Sequence, residues 1–229
     1  MRHDTFPLML FAAGRGTRMK ALTKSRPKPL VEVAGRSLLS HALGLGQAAG
    51  AAPIVANAHY LGQQIEDALA GEDVAISREE VLLDTGGGLR AARPLLGEGP
   101  VWTLNSDAIW TGPNPLQALA AAWDPDRMDA LLLLVPPAQA EGTSSAGDFA
   151  LAPDGRLSRG PGYIYTGAQI LRPDGLSAIG EDVFSLNVLW DKIAAEGRLH
   201  GIVFPGGWCD VGRPEGIALA EAMLERTDA

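Results

Sequence analysis

Residues Leu8–Leu30 read LMLFAAGRGTRMKALTKSRPKPL: an apolar run from Leu8 to Ala13, a break at Gly14-Arg15-Gly16-Thr17-Arg18, and a close on Pro27-Lys28-Pro29. The apolar run predicts a buried strand. The glycines let backbone N–H groups point into one concavity without Cβ interference. Arg15, Arg18 and Lys28 then supply positive charge. A buried strand ending in such a turn suits phosphate groups. Taken alone it is equally an ordinary strand–loop connection, since glycine loops after strands are common. It has neither the Gly-Lys-Ser/Thr ending of an ATPase loop nor the third glycine of a dinucleotide-binding turn.

Outward from this stretch, strand and helix patterns alternate. Ser37–Ala49 predicts a helix ending at Gly50, Ala52–Ala56 a second strand, and Gly62–Leu69 a helix. Asp73–Ser77 predicts a third strand, Gly87–Arg93 a short helix ended by Pro94, and Val101–Leu104 a fourth strand. Pro115–Trp123 is helical and Ala130–Val135 a continuous apolar strand. Such alternation predicts a mainly parallel sheet. From Pro136 the pattern changes. Asp148–Ala152, a turn at Asp154-Gly155, and Tyr163–Leu171 predict antiparallel strands added at one edge of the sheet. Leu186–Glu196 predicts a helix and Leu199–Phe204 a strand. Pro214–Arg226 predicts a final amphipathic helix with Ile217, Leu219, Ala220 and Leu224 available for packing. The fold class is α/β: a Rossmann-like mixed, mainly parallel sheet with helices on both faces and a small antiparallel insertion. The expected organisation is one domain, 1–229.

Composition narrows the partners. The 229 residues carry a net charge of −8, a poor balance for a general nucleic-acid binder. Yet between Arg15 and Arg36 lie Arg18, Lys20, Lys24, Arg26 and Lys28, with Glu32 the only acid. A local basic patch on an acidic chain suits a small polyanion. The single cysteine, Cys209, allows no internal disulfide and points to a reducing cytoplasm. The opening MRHDTFPLMLFAAGRG does not make a signal peptide, and no stretch reaches the roughly 18 apolar residues of a membrane span. The histidines and Cys209 do not group into a zinc site. Cys209 has no evident base and reads as a small filler. Trp208 reads as core and His59 as a turn residue.

In open parallel sheets ligands bind beyond the carboxyl ends of the strands. The glycine loop follows the first strand, and Asn105-Ser106-Asp107 follows the fourth. Asp210, in Trp208-Cys209-Asp210-Val211-Gly212, also follows an apolar strand. Each aspartate alone reads more readily as a cap or turn residue. Together on one rim they can hold a Mg²⁺ ion whose remaining ligands are water and phosphate oxygens. Thr85-Gly86-Gly87-Gly88 opens a helix, and its N–H groups suit an anion or a closely approaching base.

These residues resemble a family signature. Leu10-Phe11-Ala12-Ala13-Gly14-Arg15-Gly16-Thr17-Arg18-Met19, then Leu22-Thr23, then Pro27-Lys28-Pro29-Leu30, is similar to the signature of the sugar-1-phosphate nucleotidylyltransferases. The resemblance continues at Leu83–Gly87, Asn105-Ser106-Asp107, Thr166-Gly167 and Trp208–Gly212, in the family's order. It implies the reaction NTP plus sugar-1-phosphate gives NDP-sugar plus pyrophosphate, and a division into a nucleotide-binding part (about 1–135), a sugar-binding part (about 136–212) and a C-terminal helix (213–229). It implies catalytic roles for Arg15, Lys28 and Asp107, and Mg²⁺ on Asp107 and Asp210. It places Leu10, Ala12, Ala13, Gly14, Gly16, Thr17, Thr85, Gly86 and Asn105 at the nucleotide, with Glu79 (or Glu80) where relatives read the base. Asp148, Tyr165, Thr166 and Asn187 are the candidates for the sugar pocket.

Among members without a C-terminal β-helix, Asp84–Gly88, Gly147-Asp148-Phe149 and the Asp154-Gly155-Arg156-Leu157 turn look most like the muramate-type uridylyltransferases, which favours UTP. A mannose- or heptose-1-phosphate guanylyltransferase is the alternative. Other classes are a non-catalytic nucleotide-sugar regulatory protein and a cytidylyltransferase-like enzyme for a non-sugar phosphate. Many relatives carry a Glu-Lys pair in the insertion, where this chain reads Leu157-Ser158-Arg159-Gly160-Pro161-Gly162-Tyr163. Arg159 can substitute there, and a lactyl-bearing sugar would offer it a carboxylate. No nucleic acid or membrane partner is expected, and the chain is expected to be a monomer or small homo-oligomer.

Overall fold

Leu8–Phe11 forms β1, with Leu8, Met9 and Leu10 wholly buried. Its place explains its composition: it runs between two parallel neighbours, and a strand covered on both faces must be apolar throughout. The computed structural model describes residues 5–228, so the two ends of the expected 1–229 domain lie outside the described residues. After β1 come β2 (Glu32–Val33), β3 (Arg36–Ser37), β4 (Ile54–Ala58), β5 (Val74–Arg78), β6 (Val101–Asn105), β7 (Ala108–Thr111) and β8 (Ala130–Val135). Then follow β9 (Ala140–Glu141), β10 (Phe149–Leu151), β11 (Leu157–Arg159), β12 (Ile164–Leu171), β13 (Leu199–Val203) and β14 (Gly207–Asp210). The helices are α1 (Leu38–Ala48), α2 (Gly62–Ala68), α3 (Asp84–Leu96), α4 (Pro115–Ala122), α5 (Asn187–Ala195) and α6 (Glu215–Asp228).

The main sheet has seven strands in the order β13-β8-β12-β6-β1-β4-β5. Only β12 runs against the others. Alternate residues of β1 serve opposite faces. Leu8 and Leu10 join Leu39 and Leu43 of α1, Ile65 of α2 and Leu116 and Leu119 of α4. Met9 joins Leu89 and Leu96 of α3 and Leu189 and Ile193 of α5. Helices therefore cover both faces, as the alternation predicts. Two helix starts follow from side-chain caps. The Ser37 hydroxyl accepts from the Ser40 N–H ahead of α1, and the Asn114 carbonyl oxygen accepts from Leu116 and Gln117 ahead of α4.

Four expectations are corrected. First, β12 is not at an edge. It lies between β6 and β8, and all but one of its residues are buried. Buried Gln169 hides this in the sequence: it accepts from Trp190 Nε1 and donates to Thr103 Oγ1, so a polar residue sits inside. Second, Pro94 does not end a helix. The helix starts earlier, at Asp84, and Pro94 falls in its last turn, where few backbone bonds remain to break. Third, Asp210 does not merely follow a strand: it closes β14, which pairs antiparallel with β7 in a separate three-stranded sheet. Fourth, Leu219 of α6 points out, 42% exposed, while Ala220 and Met223 pack against Met19, Val33, Ile109 and Cys209.

Candidate active site

The carboxyl ends of β1, β4 and β6 open onto a cavity of about 420 Å³, lined by Ala12, Ala13, Gly14, Lys28, Glu79 and Asp107 among others. A second cavity of about 320 Å³ lies beside it. Phe11, Asp84, Thr85 and Asn105 line both and form their common wall.

Backbone geometry shapes the first cavity. Gly16 has φ +60°, and a Cβ there would lie 2.6 Å from Lys28 Cβ. The glycine lets the loop fold directly onto the Pro27-Lys28-Pro29 segment and so presses Lys28 into the site. Gly14 differs. It lines the cavity, its φ is ordinary, and a Cβ there would meet nothing within 4 Å. Nothing in the folded chain requires glycine at 14, so the open space is on the ligand side. Behind the loop runs a buried polar relay. Asn57 Oδ1 accepts from the N–H groups of Ala12 (2.6 Å) and Ala13 (3.2 Å). Asn57 Nδ2 donates to Glu79 Oε1 at 2.7 Å, and Glu79 Oε2 accepts from Leu83 N–H at 2.9 Å. His59 Nδ1 meets the Glu79 carbonyl at 2.9 Å, a turn contact.

The charged centre is Lys28 and two aspartates. Lys28 is buried and its Nζ donates to Asp107 Oδ2 at 2.7 Å. The β7–β14 pairing sets Asp210 opposite Ala108, one residue beyond Asp107, and Val211 N–H donates to the Asp107 carbonyl at 2.9 Å. Burial, and then the neighbouring Asp107 charge, push the Asp210 carboxyl up, with Lys28 and Arg18 pulling the other way. Two carboxylates that repel each other, with oxygen donors only, fit a hard divalent cation. Among the described residues no group of three or more His, Cys, Asp or Glu side chains could hold a metal ion, so such a cation would take its other ligands from water and phosphate. Cys209 is wholly buried, and burial pushes its thiol up to about 12, the state of a filler rather than a nucleophile.

The second cavity is built by side chains from distant segments. Phe149, Tyr165 and Trp190 give it aromatic walls. Tyr165 and Phe149 both pack edge-on against Trp190. Burial pushes the Tyr165 phenol up, so it stays neutral. Asp148 Oδ2 accepts from the Tyr165 N–H at 2.9 Å. Asn187 and Arg159 complete the polar lining.

The structure brings most of the sequence candidates to these walls, but not all. Leu10 is wholly buried in the core, and Phe11, the next residue of the pleat, lines the cavities instead. Arg15, Gly16, Thr17 and Asp210 lie outside both walls, with Arg15 and Thr17 exposed on the loop and Asp210 set behind Asp107 at the end of β14. Gly86 is buried and donates its N–H to the Phe184 carbonyl at 2.9 Å, so it seats a neighbouring loop. Thr166 is also buried: its hydroxyl donates to the Leu133 carbonyl at 2.7 Å, and its carbonyl accepts from Trp208 Nε1 at 3.0 Å. It stands in a register shift of β12 between Tyr165 and Gln169, where Gly167 packs on Asn105. Thr166-Gly167 thus positions Tyr165 and Asn105 rather than facing a cavity. Sequence reading missed Asn57, Phe11, Asp84, Phe149 and Trp190. For Asn57 a signal existed, a lone polar residue at the carboxyl end of an apolar strand.

The comparisons agree with this geometry. Residues 8–143 match the family described as a MobA-like NTP transferase domain. A protein of Caulobacter vibrioides named N-acetylmuramate alpha-1-phosphate uridylyltransferase is 42% identical, across 94% of this chain and 96% of its own length. One of the same name from Neisseria meningitidis serogroup B is 36% identical over the same shares. The crystal structure of HddC from Yersinia pseudotuberculosis complexed with GMP-PN matches with a TM-score of 0.77, covering 96% of this chain and 100% of that one. At 20% identity that likeness establishes the fold. Among the described residues no helix is long and apolar enough to cross a membrane.

Proposed function

We propose that this chain, which belongs to the MobA-like NTP transferase family as a sugar-1-phosphate nucleotidylyltransferase, couples UTP to N-acetylmuramate 1-phosphate and releases pyrophosphate. The observation that carries the chemistry is the position of Lys28 and Asp107 in a cavity that shares a wall with a second, aromatic cavity. The nucleotide occupies the first and the sugar the second. The names of the two long relatives carry the choice of substrate.

A phosphate oxygen of the sugar-1-phosphate attacks the α-phosphorus of UTP. The bond from that phosphorus to the bridging oxygen breaks, and pyrophosphate leaves with the electron pair. The attacking oxygen is already an anion at neutral pH, so no general base is needed. The obstacles are repulsion between two polyanions and alignment for in-line attack, and the site answers both by placement and charge. Lys28 neutralises charge where the two substrates meet, with its ammonium held by Asp107. Arg15 and Arg18, exposed on the glycine loop, draw the outer phosphates of the leaving group. The Gly14 backbone lies against the nucleotide, and Glu79 and Thr85 border the base. Asp107 and Asp210 would hold Mg²⁺, which when bound would add Lewis-acid neutralisation of phosphate oxygens. The chain acts as one catalytic domain, with residues 1–135 and 136–212 as its nucleotide and sugar parts.

The test is a pyrophosphate-release screen of four NTPs against a panel of sugar-1-phosphates with Mg²⁺. Turnover should be highest with UTP and N-acetylmuramate 1-phosphate. Preference for GTP with mannose- or heptose-1-phosphate would overturn the substrate assignment, and no turnover with any pair would overturn the transferase reading.

A further inference from the structure

We propose that Arg159 selects the acceptor sugar by binding a carboxylate on the sugar ring, away from its 1-phosphate. This deepens the uridylyltransferase reading and rests on it. Of the charged side chains lining the second cavity, Asp84 and Asp148 are acidic and Arg159 alone is basic. Arg159 does not line the first cavity, whereas Lys28 lines only the first. The reacting phosphate must reach the first cavity to meet the nucleotide. The cation left on the second wall therefore faces the unreactive part of the sugar.

The guanidinium is held ready. Its Cζ lies 4.8 Å over the Phe149 ring centroid and 5.5 Å over that of Trp190. Nε donates to Asp191 Oδ1 at 3.0 Å and Nη2 to Asn187 Oδ1 at 2.9 Å. Two aromatic faces and two acceptors thus fix the plane and leave Nη1 with no hydrogen bond to any described residue. Arginine offers a planar fork of five donors that fits a carboxylate edge-on, and a fork already oriented loses little freedom on binding. The side chain is 42% exposed, so an incoming group can reach it. N-Acetylmuramate differs from N-acetylglucosamine by one lactyl ether, which brings the carboxylate. The same fork would also suit a phosphate, and the two substrates separate these cases because both carry the 1-phosphate.

The experiment measures kcat and KM with UTP and either N-acetylmuramate 1-phosphate or N-acetylglucosamine 1-phosphate, for wild type, R159Q and R159K. Wild type should prefer the muramate substrate. In R159Q its kcat/KM should fall about 10- to 100-fold, mainly through KM, the worth of a charged hydrogen bond. The glucosamine substrate should lose much less, so the preference collapses. R159K, which keeps charge but loses the fork, should retain part of the preference. If R159Q melts early, R159K carries the comparison. Equal losses with both substrates would put Arg159 on the shared phosphate and overturn the proposal, as would an unchanged preference. Should wild type release no pyrophosphate with any pair, the transferase reading fails by itself. Equilibrium dialysis of N-acetylmuramate 1-phosphate against wild type and R159Q then decides the arginine separately: equal binding overturns it, weaker binding of R159Q supports it.

Discussion

The two cavities share Phe11, Asp84, Thr85 and Asn105, yet they are made in different ways. The first is a feature of backbone. A contiguous loop after β1 is pinned from behind by Asn57, Gly16 lets it fold onto Lys28, and Gly14 leaves open space on the cavity side. The second is a feature of side chains, with Phe149, Arg159, Tyr165, Asn187 and Trp190 arriving from four separate elements. Backbone recognition needs particular residue types at close spacing and leaves a mark in sequence. Side-chain recognition needs only that distant residues meet, so it can be retuned one residue at a time. On the proposed function, the first cavity therefore suits the constant phosphate chemistry and the second the variable sugar.

Substitutions can break or sharpen this division. The largest effect should come from Lys28→Ala, which removes the buried cation paired with Asp107, the one proposed to sit where the two substrates meet. We expect turnover to fall about 10²- to 10³-fold or more, measured by pyrophosphate release. Asp107 is 31% exposed and can hydrate once unpaired, so the melting temperature should change little. Near wild-type turnover would remove Lys28 from the reaction.

Asn57→Ala comes next. It leaves the N–H groups of Ala12 and Ala13 and one Glu79 oxygen without their partner. It should destabilise the fold by about 1–3 kcal/mol and raise the KM for UTP while sparing that for the sugar. Equal changes in both would show that the two halves are not separable. Gly14→Ala is the cleaner probe of the first cavity, because a methyl there meets no protein atom. The melting temperature should stay within about 1 °C, with a several-fold rise in KM for the nucleotide alone. A loss of stability without that rise would mean that the open space is structural.

The smallest effect is expected from Asn187→Ala in the second cavity. It removes one of the acceptors that orient Arg159, but leaves Asp191 in place. A few-fold rise in KM for the sugar, at unchanged KM for UTP, would match a side-chain-built half. A change in nucleotide KM instead would erase the contrast between the cavities.

The asymmetry also explains what could be read in advance. Of the first cavity's lining, Ala12, Ala13, Gly14, Thr85, Asn105 and Asp107 were legible because each sits at or beside a terminus of an element, and Lys28 because it stands in the Pro27-Lys28-Pro29 motif. Of the second cavity's lining, Asp148, Tyr165 and Asn187 were legible, while Thr166 faces the core. Trp190 gave no signal, and Phe149 stood out only within Gly147-Asp148-Phe149 and not as a lining residue, since an aromatic residue lining a cavity looks like one filling a core.

The local pieces were written in the chain: a buried strand over Leu8–Ala13, which the structure trims to Leu8–Phe11, the glycine loop, the alternation that makes an α/β sheet, and a carboxylate at 107 beyond a buried strand. Those follow from short-range sterics and hydrophobic period, which a chain carries wherever it folds. Only the tertiary structure decided that β12 runs reversed through the middle of the sheet rather than along its edge. It alone brought Asp210 beside Asp107, through a pairing of β7 with β14 across about a hundred residues. It alone set Arg159 against Phe149 and Trp190. The physical reason is the same in each case: these are long-range pairings, selected by which buried surfaces close against one another, and no local pattern encodes the partner.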